Sequence, residues 1–239
     1  MVKLDWDKIR ETLSEYVDEL TPHKWTEKDL VVYENSYRSI LNTALNNKWF
    51  NETYHSLEDT QAKTLTLLMM TFFKIEGELA FWMNLVIFYY INLGKRNIWH
   101  PYLQKFVTGF DEISDIPFYI KAKFLEAHGF WFIEDFLQKD LRNAIAHQDY
   151  LINEKGEIEL YRRQKRTRII ELSELAEISS NITRLYTITI QVLGEKIGVD
   201  LDRAFSELSK LTIDEMFLLA KKLAKENISK EFIKKENSD

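Results

Sequence analysis

The chain has no cysteine, only 3 prolines and only 7 glycines in 239 residues. Without cysteine there is no disulfide framework, no thiolate metal site and no cysteine nucleophile. The same absence fits a reducing compartment, and the expected location is the cytoplasm. So few turn residues exclude a β-sandwich or barrel of this length and imply long helices with few breaks. The acidic, amphipathic start Met1-Val2-Lys3-Leu4-Asp5-Trp6-Asp7 lacks the apolar run of a signal peptide. A membrane span is also missing. The longest candidate, Leu79 to Leu93, is short of the roughly 20 apolar residues a span needs and contains two asparagines, so it reads as a buried core helix.

What is present is hydrophobic and acidic. Apolar residues make up 45% of the chain and aromatics 13%, enough to exclude general disorder. The net charge is −6, so any contact with nucleic acid must go through a local basic patch against a repelling overall field.

Periodicity gives a mainly all-α reading. Trp6, Ile9, Leu13, Tyr16, Val17 and Leu20 share one face of a helix over 5–20. Thr26-Glu27-Lys28-Asp29 resembles a capping box opening a second helix toward residue 46. Ser56-Leu57-Glu58-Asp59 is a similar start for a long central helix over 57–93, ended by Gly94-Lys95-Arg96. Residues 97–113 read as irregular. Asp115 and Pro117 begin a helix to about Ala127, His128-Gly129 breaks it, and one further helix runs from Trp131 to Ala146. Alternation from Tyr150 to Tyr161 around Glu154-Lys155-Gly156 predicts a β-hairpin, with room for a third strand near 166–170. Helix returns over 173–195. Thr212-Ile213-Asp214-Glu215 is a full capping box before a last helix and a charged tail. The expected organisation is N-terminal helices (1–50) packed on a helical domain (51–198), followed by a C-terminal helix and tail (199–239), with Gly194–Asp202 the best boundary.

The most chemical-looking segment is Arg142-Asn143-Ala144-Ile145-Ala146-His147. On a regular helix Arg142 and His147 lie about 140° apart, while Asn143 and His147 share a face with Asp140 beside them. Histidine exchanges protons near neutrality, and arginine offers a permanent charge in a planar fork suited to phosphate. The bland alternative is that Arg142 pairs with Asp140 or Glu134 and His147 caps its helix.

Arg-Asn-x-x-x-His late in a helical protein resembles the signature of the HEPN superfamily. Arg142, Asn143 and His147 match its pattern. The resemblance implies a HEPN-like helical bundle, here with a small β-hairpin inserted after the motif helix. It also implies a metal-independent endoribonuclease that uses the RNA 2′-hydroxyl as nucleophile and needs no cofactor. Members often act as toxins or in defence and RNA processing, so an antitoxin or other regulatory protein is an expected partner. A single chain supplies one such histidine, and a homodimer would bring two motifs to one cleft. The alternative is a non-catalytic helical module binding RNA or protein.

Arg162-Arg163-Gln164-Lys165-Arg166-Thr167-Arg168 carries five basic residues in seven and is the expected site for single-stranded RNA, with Tyr150 and Tyr161 available to stack on bases. A charged edge strand protected from aggregation is the equal alternative. Lysines from 221 to 235 alternate with glutamates and read as a solvated face. Glu76 and Glu78 interrupt an apolar helix and need partners: Lys74 can face Glu78 at i+4, and Arg142 can meet Glu76 across the bundle. The remaining histidines have no metal-ligand spacing, so no metal site is expected.

Overall fold

The computed structural model describes residues 4–20, 45–92, 97–107 and 109–197, together with 210, 212, 215 and 218. It is mainly helical with small antiparallel sheets. Helix α1 spans Trp6–Leu20 and buries Ile9, Leu13, Tyr16 and Val17, the face expected from their spacing. The helix expected over 26–46 lies mostly outside the described residues. Residues 45–56 are helical (α2), beyond the end expected near residue 46.

The central helix begins at Thr60 rather than Leu57, because its cap is Asp59 and not Ser56, whose hydroxyl instead bonds the Thr53 carbonyl. Asp59 accepts a hydrogen bond from the Ala62 amide at 2.6 Å, and α3 runs Thr60–Phe73. It then widens into one π-helical turn, Lys74–Leu79, before α4, Ala80–Asn92. The apolar run of α4 is in the core, with Trp82, Met83, Leu85, Val86, Ile87 and Tyr89 buried. Among the described residues no helix is long and apolar enough to cross a membrane. The last long helix, α9 (Leu172–Ile197), lies against α1, α3 and the π turn. It passes through Gly194, so the chain is still helical at the start of the expected boundary. Trp82 donates from its indole to Thr189 on α9 at 2.7 Å and packs its ring among Phe130 and Phe132.

Two expectations need correction. Residues 97–113 are not irregular: Trp99–His100 (β1) pairs with Lys105–Phe106 (β2), and Phe110–Ser114 forms a short helix, α5. The turn between β1 and β2 is organised by buried His100, whose Nδ1 accepts the amides of Tyr102 and Leu103 at 3.3 and 3.2 Å. The helix expected over 131–146 is two helices. After α6 (Phe118–Ala127), closed by Gly129 at φ 96°, come α7 (Ile133–Leu137) and α8 (Lys139–Ala146). Between α7 and α8 Gln138 takes left-handed dihedrals, φ 43° and ψ 46°, with its side-chain amide bonded to the Asp135 carbonyl. Neither glycine nor proline marks this break, so periodicity runs through it.

The hairpin is present and gains the third strand. β3 (Tyr150–Ile152), β4 (Ile158–Arg162) and β5 (Lys165–Ile170) form an antiparallel sheet in that order. Its β3–β4 loop docks on α3, where Thr64 donates to the Gly156 carbonyl at 2.8 Å and Gln61 to the Asn153 carbonyl at 3.2 Å. The Thr212–Glu215 capping box is formed in both directions, at 2.7 and 3.3 Å.

Candidate functional site

Arg142 is half-buried on α8, and its partner is Glu76 rather than Asp140 or Glu134. Its Nε and one terminal nitrogen both reach the Glu76 carboxylate, the latter at 3.4 Å. The guanidinium lies 4.6 Å from the centre of the Phe118 ring. The other terminal nitrogen makes no hydrogen bond among the described residues, so one edge of the fork stays open. Glu134 is taken by Lys139 at 2.7 and 3.0 Å.

The π turn explains why these charges sit inside an apolar helix. Lys74 and Glu78 point toward α9 and pair at 3.3 Å, with the Thr183 hydroxyl bonded to both. Glu76, two residues along, comes out on roughly the opposite side and faces α8. A single widened turn therefore carries two ion pairs on its two sides, a placement π turns often have near functional groups. Lys121 on α6 completes the polar set. It is 3% exposed and donates to Asn84 Oδ1 at 2.9 Å, while Asn84 donates to Ser114 at 3.2 Å. Burial pushes the Lys121 amine down to about 8, with nearby Arg142 adding to the fall and Glu76 and Asp115 opposing it. Burial lowers Lys74 as well, against the pull of Glu78.

Asn143 and His147 are both exposed. Neither side chain makes a hydrogen bond or ion pair among the described residues. His147 is the residue that ends α8, φ −101° and ψ 2°, and its amide bonds the Asn143 carbonyl at 3.0 Å. Arg142 and Asn143 line a cleft of about 510 Å³ with Tyr102, Phe118, Tyr119 and Lys139. His147 does not line it. Within one chain, then, Asn143 is shared by two faces of α8, and Arg142 and His147 are not brought together.

The five basic residues separate into two groups. Arg166 pairs with Glu159 at 3.0 Å, and Arg168 pairs with Glu174. Arg162, Arg163 and Lys165 are exposed, with no ion pair among the described residues. Arg162 ends β4 and Lys165 begins β5, and Arg163 with Gln164 forms the two-residue turn between them, at φ 49° and 65°. Pairing of Tyr150 with Leu160, continued by the Tyr161 amide bonding the Asp149 carbonyl at 2.8 Å, sets the register. In that register the turn lies at the end of the sheet where the chain leaves His147. Spacing along the chain hid this, because the basic stretch is about fifteen residues downstream. Tyr161 is half-buried, and its hydroxyl is held by Glu159 at 2.7 Å, which raises the phenol and lowers the carboxylate.

Among the described residues no group of histidines and carboxylates is arranged to hold a metal ion. No known family model, curated protein or solved structure matches the chain.

Proposed function

We propose that this protein is a metal-independent endoribonuclease of HEPN type that works in the cytoplasm as a homodimer, as a toxin or in defence or RNA processing. The observation that carries this reading is the end of α8. Exposed Asn143 and His147 stand there, at the same end of the sheet as three basic residues that have no ion pair among the described residues. Those three residues give an acidic protein a place to hold phosphate.

In the proposed reaction a base removes the proton from a ribose 2′-hydroxyl and the 2′-oxygen bonds to the adjacent phosphorus. The 5′-oxygen leaves with a proton, giving a 2′,3′-cyclic phosphate end. His147 serves as base or acid. Arg142, fixed by Glu76, directs its open edge at a phosphoryl oxygen, and Asn143 orients the imidazole or the phosphate. Arg142 and His147 face apart on one chain, and a second copy supplies the complementary groups.

The engagement of Arg142 by Glu76 and Phe118 favours one other reading, a non-catalytic module that binds RNA or a protein through this surface. Incubating single-stranded RNA with the protein in EDTA, beside His147→Ala, separates the two. The expected result is cleavage to cyclic-phosphate ends by the wild type, reduced at least about 100-fold in the variant. Cleavage that survives the substitution refutes the role of His147. No cleavage by either protein selects the binding module.

A further inference from the structure

The cleft beside Arg142 has features that neither the basic turn nor His147 uses. Tyr102, 75% exposed, and Tyr119, 59% exposed, line it and present aromatic surface to water. Their positions are built rather than incidental. Tyr102 sits in the turn organised by buried His100, and Tyr119 is the second residue of α6, next to the Phe118 that carries the Arg142 guanidinium. Arg142, Lys139, Asn143 and Asp115 line the same cleft. At about 510 Å³ the space is within the range of small-ligand sites, roughly 300–1,000 Å³. Concavity matters here, because a flat partner surface would leave it unfilled. Two aromatic rings, a carboxamide without a hydrogen bond and a guanidinium with one open edge among the described residues are groups that recognise a nucleotide: stacking for the base, hydrogen bonds for its edge, charge for its phosphate.

We infer that this cleft is a nucleobase-binding site, which seats one unpaired base of a single-stranded RNA against Tyr102 and Tyr119 with Asn143 at the base edge. The inference rests on RNA being the ligand, as in the proposed function, and it assigns that RNA a second point of attachment, on the Arg142 side of α8. The strand then runs from the base cleft across Asn143 to His147 and the basic turn.

The test uses the full chain and a ten-nucleotide 2′-O-methyl oligouridine in which one residue is 2′-O-methyl-5-iodouridine, so that no 2′-hydroxyl is there to react. Irradiation is expected to attach it to Tyr102 or Tyr119. Replacing both by alanine is expected to weaken its binding about ten-fold, and replacing both by tryptophan to restore it. Attachment confined to the 162–168 turn overturns the inference, as does unchanged affinity in the double alanine variant. So does a change of sedimentation from dimer to monomer with affinity intact, which would make the cleft a contact between copies. The nuclease reading fails separately. Attachment at the tyrosines without cleavage of ordinary RNA removes the enzyme and keeps the site, whereas cleavage with unchanged affinity in the double variant removes the site alone.

Discussion

Glu76 and Lys121 show how much of the candidate site is decided below its surface. Glu76 holds two of the Arg142 nitrogens and lies close enough to Lys121 to raise the affinity of that amine for its proton. Lys121 nonetheless titrates near 8, because its desolvation outweighs the attraction. The consequence for stability has a definite sign. Between about 8 and the ordinary lysine range, the unfolded chain holds a proton that folded Lys121 has released, so stability rises with pH across that window. Below it both states are protonated and the folded state bears the cost of the buried charge. Chemical denaturation from pH 7 to 10.5 is expected to show this rise. In Lys121→Met the rise becomes smaller without vanishing, since Lys74 is lowered in the same direction. A wild-type protein whose stability falls over that interval would contradict the assignment.

At the scale of elements, the β-sheet ties the motif helix to the core and carries the basic turn. Its attachment to α3 depends on Gly156, whose φ of 77° disfavours a side chain and where an added Cβ would lie 2.5 Å from Thr60 Cγ2. Gly156→Ala is therefore expected to lower stability by about 1–3 kcal/mol, read as a fall of several degrees in Tm. The β4–β5 turn has the opposite character. Arg163 and Gln164 occupy two successive left-handed positions that Asn-Gly fills at lower cost. Replacing Arg163-Gln164 by Asn-Gly is expected to raise stability by about 1 kcal/mol and to weaken RNA binding. The salt dependence of binding should become shallower by about 0.7 in logarithmic slope, because one phosphate is left without its arginine. A stabilised variant with unaltered salt dependence would show that Arg163 does not touch RNA.

At the scale of the molecule, the described residues share one hydrophobic core, with the candidate site at one end of α8. Residues of α1, α3, α4, α6, α7, α8, the sheet and α9 all contribute to that core, so the N-terminal helix α1 packs with the domain rather than apart from it. The outward direction of His147 and the inward commitment of Arg142 together make the proposed reaction depend on a second copy. Sedimentation or light scattering is expected to give a dimer at micromolar concentration, and mixing Arg142→Ala with His147→Ala chains is expected to restore part of the activity lost by each. A monomer that retains activity would defeat the composite site.

The sequence by itself determined which segments bury apolar faces and where most of them stop. The amphipathic spacing of α1, the His128-Gly129 break, the Gly156 loop and the Thr212–Glu215 box are local rules written in neighbouring residues. The pairings of Lys74 with Glu78 and of Glu76 with Arg142 were also legible, because a carboxylate in an apolar helix demands a cation and few were in reach. Only the tertiary structure decided the rest. The turn at Gln138 uses a left-handed residue that carries no compositional mark. Sheet register brought Arg162, Arg163 and Lys165 back to the His147 end of the sheet, a juxtaposition of residues about fifteen apart that no helical or strand period encodes. The cleft of Tyr102, Tyr119 and Arg142 joins three segments by packing. Such a site depends on how helices cross, which is set by the core they share and not by any one of their sequences.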